Sequence, residues 1–224
     1  MAYNFTFGYQ YNQYLTPFKA YDLAFNHGRN NDFESCIVQD AQYSYLYARD
    51  IIKDRWLEAE SVIMQDVYYA HLYARDIIKG RWQEAEPTIM KSPSCLLRYI
   101  EDVIQCRWLE AEHLILAYGA TYAYSYARFI IKGRWKEAEP VIMQDALCAY
   151  AYSKDIIQRP WYEAEENISK SCYRHLYVQV FYGVDEPYLA KHEVQPSIWK
   201  KHNIQGCFAP QRWFTIQSVL DMMV

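Results

Sequence analysis

The chain lacks four things that would each have pointed to a function class. It has no uninterrupted apolar run long enough to span a bilayer, and residues 1–14 are polar and aromatic rather than signal-like, so neither a membrane span nor an export signal is expected. Its six cysteines (Cys36, Cys95, Cys106, Cys148, Cys172 and Cys207) form no CxxC pair, which argues against a zinc site and for free thiols in a reducing cytoplasm. It carries little net charge, −4 over 224 residues, too small to mark a nucleic-acid binder or a DNA mimic by bulk electrostatics. Alternating apolar runs of the kind that make strands are also missing, so no sheet is expected between residues 40 and 165.

Apolar residues make up 52% of the chain, enough for a real core, and the charged share of 22% is that of an ordinary globular protein. Tyrosine is in excess, with 23 Tyr against 9 Phe. A tyrosine ring can bury its body while the hydroxyl stays wet or hydrogen-bonded, which suits a core lying close to the surface.

An internal repeat organises everything else. Arg-Trp followed by x-Glu-Ala-Glu recurs at Arg55-Trp56, Arg81-Trp82, Arg107-Trp108 and Arg134-Trp135, with a fifth copy written Arg159-Pro160-Trp161. The tryptophans stand 26, 26, 27 and 26 residues apart. A block beginning Tyr47-Ala48-Arg49-Asp50-Ile51-Ile52-Lys53 precedes the Trp, and an apolar pair such as Ile63-Met64 follows it. One period upstream, Asn30 aligns with Trp56 and Glu34 with Glu60, a worn first copy over residues 15–39.

The block before each Trp follows helical spacing, with residues 44, 47, 48, 51 and 52 mostly apolar. Asp40, Asp66, Ser92 and Asp145 occupy the N-cap slot ahead of it. The first helix of each unit is therefore expected at about 41–53, 67–79, 93–105, 120–132 and 146–158. The slot that follows holds Gly80 and Gly133 in two copies, suiting a left-handed C-cap. The second helix must be short and begin no earlier than residues 83 or 136, because Pro87 and Pro140 are tolerated only in a first turn. Two such helices cannot close a core alone but can when stacked. The expectation is an all-α fold: an αα-solenoid of about six 26-residue two-helix repeats over residues 15–170. A segment at 1–14 precedes it, and a divergent helical C-terminal cap at 171–224 ends it, with a terminal amphipathic helix over 212–223.

Trp56, Trp82, Trp108, Trp135 and Trp161 are expected to plug the core, with Ala59 and Ile63 and their equivalents behind them. Glu58 and Glu60 recur in every copy, as active-site carboxylates do not, and are expected to form an ion-pair ladder with the repeated arginines. No catalytic residue, metal ligand or cofactor is expected, and a Cys–His pair among His192, His202 and Cys207 has no companion motif. The candidate binding residues form a strip on the first helices: Tyr45, Arg49 and Lys53; His71, Arg75 and Lys79; Tyr124, Arg128 and Lys132; Tyr150 and Lys154. The third copy breaks it with Leu97, Glu101 and Gln105. If residues 47, 48, 51 and 52 point inward, 45 and 49 should point to solvent.

The run over residues 73–87, Tyr-Ala-Arg-Asp-Ile-Ile-Lys-Gly-Arg-Trp-x-Glu-Ala-Glu-Pro, resembles short αα tandem repeats in proteins of large bacteriophages and other viruses, a family of unknown function. The resemblance covers about two-thirds of the chain. It implies a helical solenoid and a viral source, with no functional residue to transfer. The leading expectation is a non-enzymatic scaffold in the host cytoplasm that occupies a host protein, such as a defence component. The second is a nucleic-acid or nucleotide binder using the strip, and the third a helical-repeat enzyme acting on nucleic acid.

Overall fold

A computed structural model describes residues 15–183; the segment at 1–14 and most of the expected cap, including the 212–223 helix, lie outside them. The described residues are helical and contain no strand. The helices are α1 (Pro17–His27), α2 (Asn31–Ile37), α3 (Ala41–Tyr47), α4 (Leu57–Ile63), α5 (Val67–Tyr73), α6 (Glu86–Ile89) and α7 (Pro93–Tyr99). They continue with α8 (Leu109–Ala117), α9 (Ala120–Tyr126), α10 (Glu139–Ile142), α11 (Ala146–Tyr152), α12 (Glu165–Ser169) and α13 (Arg174–Tyr182).

The expected caps begin the long helices. The side chains of Asp40, Asp66, Ser92 and Asp145 accept a backbone N–H from the first turn of α3, α5, α7 and α11, satisfying donors that a helix start leaves open. In the fourth copy Gly119 stands there without a side-chain bond. Pro87 is the second residue of α6 and Pro140 of α10, within the first turn as their missing N–H requires.

The long helices end differently from the expectation. Each of α3, α5, α7, α9 and α11 runs on into one π-helical turn, at Ala48–Ile52, Ala74–Ile78, Ile100–Ile104, Ala127–Ile131 and Ser153–Ile157. The residue after that turn is left-handed: Lys53, Lys79, Gln105, Lys132 and Gln158, with φ between 55° and 60°. Its N–H reaches back five residues, as from Lys53 to the Ala48 carbonyl at 2.7 Å. The wide turn brings the reversal one position earlier than the glycine slot, so Gly80 and Gly133 are not the left-handed residues. A Cβ on either glycine would meet no close atom, which agrees. A lysine at a helix C-terminus also meets the negative end of the dipole favourably.

Successive long helices touch each other (α3 with α5, α5 with α7, α7 with α9, α9 with α11), and α3, α5, α9 and α11 also pack on the short helix that follows them. The core is one continuous cluster. Trp56, Trp82, Trp108, Trp135 and Trp161 are buried in it, with Ala59 and Ile63 and their counterparts behind them. Tyr47, Tyr73, Tyr99, Tyr126, Tyr152 and Tyr177 are fully buried as well.

Candidate binding surface

Two polar networks run from copy to copy, and between them they determine which repeated residues remain free to meet a partner. The first is built around each Trp. The ring of Tyr73 packs on Trp82 of its own copy, centroids 5.1 Å apart. Its hydroxyl meanwhile accepts the backbone N–H of Trp56, in the preceding copy, at 2.7 Å. The same hydroxyl donates to Glu60 at 3.1 Å, and Glu60 is gripped by two guanidinium nitrogens of Arg55, each at 2.8 Å. Trp82 with Tyr99, Glu86 and Arg81 repeats the arrangement, as do the copies at Trp108 and Trp135. In the worn first copy Arg29, Glu34 and Tyr47 keep the ion pair and the phenol bond. In the fifth, Glu165 accepts from Tyr177 and Tyr182. The expected ladder thus forms with Glu60 and its equivalents but not with Glu58 and its equivalents, and each rung also joins two copies. Burial and the adjacent carboxylate push the phenols of Tyr99, Tyr126 and Tyr152 up to about 12, so they stay protonated donors.

The second network contains the strip, and here the expected orientation holds for the charged ends of Arg49 and Arg75, which are exposed, but not for the rings. Tyr45, His71, Tyr124 and Tyr150 are buried, not turned to solvent. Helices α3, α5 and α9 pack on two sides, against the following short helix and against the long helix of a neighbouring copy, so a residue turned away from the first still meets the second. Position 45 faces that neighbour. Tyr45 donates to Asp76 at 2.6 Å, Tyr21 to Asp50 at 2.8 Å and Tyr124 to Asp155 at 2.5 Å, while His71 Nε2 lies 3.0 Å from Asp102. Tyr150 instead stacks on Tyr173, with Lys154 over its ring.

The arginines of the strip are tied into the same network. Arg49 binds Asp50 through two nitrogens and also donates to the Tyr45 hydroxyl. Arg75 pairs with Asp76 and reaches Asp102, and Arg128 pairs with Asp155 and Tyr124. The Arg49 bonds hold the Asp50 carboxyl below its usual range. Burial works against the charge on Asp76, yet the bonds from Arg75 and Tyr45 outweigh it and lower that group too. Burial pushes His71 down despite Asp102, and its Nδ1 is buried without a hydrogen-bond partner. Lys53, Lys79 and Lys132 are exposed at the left-handed positions.

The ladder breaks where the sequence breaks. Leu97 takes the Tyr slot, and Phe129 takes the Asp slot of the following copy, so both members of one rung are replaced by apolar residues. Phe129 is 43% exposed, with the Arg128 guanidinium 5.2 Å from its ring centroid.

Another exposed row lies at the start of the short helices and in the turns just before them. The x of Arg-Trp-x-Glu-Ala-Glu reads Leu57, Gln83, Leu109, Lys136 and Tyr162, and all five are exposed. Leu57 is 68%, Leu109 66% and Tyr162 52% exposed, large apolar groups in water on alternate copies. Beside them stand Glu58, Glu84, Glu110, Glu137 and Glu163, exposed in every copy. No recurring residue marks the x position of this row, so the repeat pattern does not point to it. The signal was that x varies inside an otherwise rigid motif. No three His, Cys, Asp or Glu side chains converge as metal ligands among the described residues, and no described helix is long and apolar enough to cross a membrane. The chain matches no family model, and comparison with curated proteins and with solved structures finds no match.

Proposed function

We propose that the chain is a non-enzymatic αα-solenoid that binds a protein, its stacked copies presenting the short-helix row to the partner. The observation that carries this reading is the division of labour between repeated and varying positions. Trp, Tyr, Ala and Ile recur and are buried, and the recurring Arg–Glu pair closes on itself within each copy. The residue after each Trp varies, is exposed, and is apolar in three of five copies. Packing does not require Leu57 or Leu109 to be leucine. Large apolar groups exposed at the same position of three copies support a protein-binding face.

The nucleic-acid reading loses its support from the strip. The rings of Tyr45, His71 and Tyr124 are buried and unavailable for base stacking, and the arginines beside them are already paired to carboxylates. In line with the resemblance to viral repeat proteins, the partner is taken to be a host protein. A photo-crosslinking residue placed at position 57 or 109, with position 42 on α3 as control, tests the reading in host cells. A discrete adduct from 57 and 109 but not from 42 supports it. Absence of any protein adduct from every exposed position overturns it.

A further inference from the structure

The short-helix row carries a second kind of information, the charge around its apolar positions. Arg55, Arg81, Arg107 and Arg134 are neutralised within their own copies by the two-nitrogen grip on Glu60, Glu86, Glu112 and Glu139. The other carboxylate of the motif has no such counterpart. Glu84, Glu110, Glu137 and Glu163 each lie within electrostatic range of the arginine one copy earlier, so these carboxylates follow one another from copy to copy. Each arginine thus faces two carboxylates, one bound and one left over. The row is an apolar line edged by an exposed glutamate in every copy, with Lys136 standing in it in the fourth and exposed lysines four residues before it in three copies (Lys53, Lys79 and Lys132).

Its spacing selects the shape of what can lie on it. Packed helices sit ~8–10 Å apart, so successive copies should present the row at about that interval, and the apolar groups on alternate copies at about twice it. One heptad of α-helix rises about 10.5 Å, close to the spacing of one copy. A helix laid along the row returns the same face to each copy, once per heptad. An extended strand advances about three residues over the same distance and, with its period of two, turns opposite faces to successive copies. It could serve the alternate apolar positions but not the carboxylate in every copy.

We propose that the row docks a basic amphipathic helix of a partner protein, with apolar anchors meeting Leu57, Leu109 and Tyr162 and Lys or Arg flanks meeting the Glu58 series. This rests on the protein-binding reading above and adds the partner's chemistry and secondary structure. Such helix-on-surface recognition combines a hydrophobic seam with charge that steers and orients encounter.

The probe is a synthetic four-heptad helix with a leucine seam flanked by lysine, titrated into the full-length protein by fluorescence anisotropy. A counterpart has glutamate for every lysine. The lysine peptide should bind and weaken several-fold between low and moderate salt, while the glutamate peptide should not bind. Leu57→Ser, Leu109→Ser and Tyr162→Ser together should weaken it more than tenfold with the melting temperature unchanged. Glu58→Gln, Glu110→Gln and Glu163→Gln together should flatten the salt dependence.

Equal binding of both peptides, or indifference to either set of substitutions, overturns the proposal. So does competition by single-stranded DNA for the same residues. Protection of Leu57, Leu109 and Tyr162 from radical labelling in the free protein also overturns it, by showing that the chain covers its own row. If a cellular partner crosslinks at the row while the lysine peptide fails, the basic helix falls and the binding scaffold stands.

Discussion

Replacing Tyr99 by Phe removes one oxygen from the centre of a repeat and should have a large effect for so small a change. Tyr99 is fully buried, and its ring packs on Trp108. Its hydroxyl accepts the Trp82 N–H at 2.8 Å and donates to Glu86 at 3.1 Å. Phe keeps the ring contacts, so the loss is confined to the two hydrogen bonds. A buried N–H left without a partner costs ~1–3 kcal/mol, and a bond to a charged acceptor contributes ~1.5–3 kcal/mol. Glu86 retains both bonds from Arg81, so the second loss belongs at the low end. The expected destabilisation is about 2.5–4.5 kcal/mol, which in a chain of this size lowers the melting temperature by roughly 5–18 °C. Thermal melting followed by circular dichroism reads the total, and hydrogen exchange at the Trp82 amide reads the cause. Tyr68→Phe, at an exposed site, should stay within ~0.5 kcal/mol. A Tyr99→Phe melting point within a degree of wild type would refute the claim that the phenol joins the two copies.

Other consequences follow from the same two networks. Trp82→Ala should cost ~3–5 kcal/mol as a large-to-small core change, visible as a lowered melting temperature. Charge reversal of Arg75 and Arg128 to Glu should destabilise by well over ~0.5 kcal/mol, because each new carboxylate would face the aspartates its arginine now pairs with. Urea unfolding checks this, and an unchanged midpoint would make the pairs inconsequential. At Leu97 and Phe129 the missing rung can be written back. Leu97→Tyr with Phe129→Asp should be more stable than the sum of the single changes predicts, by a coupling of ~0.5–3 kcal/mol in a double-mutant cycle. Alkaline titration should show the raised phenols directly. Tyr99, Tyr126 and Tyr152 sit at about 12 when folded, against 10.0 for the free group. Their stabilising contribution is therefore complete below pH 10 and lost as the pH rises from there toward 12. Tyrosinate absorbance should rise together with unfolding, and a full tyrosine titration near pH 10 in the folded protein would contradict it.

Much of this architecture is legible in the residues because it is local. Asp40, Asp66, Ser92 and Asp145 announce helix starts by capping chemistry that acts within three residues, and Pro87 and Pro140 limit where α6 and α10 begin. The Trp, Ala and Ile spacing marks the core face of the short helices. What was not legible is contact between copies. No short-range pattern tells that the Tyr73 hydroxyl reaches Trp56, 17 residues back, or that Tyr45 meets Asp76, 31 residues on. Counting one inward face per long helix therefore placed Tyr45, His71 and Tyr124 in water, although the neighbouring copy buries them. The π turn was hidden for a related reason. Ala48–Ile52 has the composition of ordinary helix, and the i to i+5 bonding alone shifts the left-handed residue onto Lys53. The exposed row was concealed by regularity itself, since it occupies the one motif position that does not repeat.

The measurement that bears most directly on the account is the affinity of the partner crosslinked at position 57, determined for the wild-type protein and for the Leu57→Ser, Leu109→Ser, Tyr162→Ser variant alongside their melting curves. The account predicts superimposable melting curves and an affinity at least tenfold weaker in the variant. Equal affinity at equal stability would contradict it and place the binding surface elsewhere on the chain.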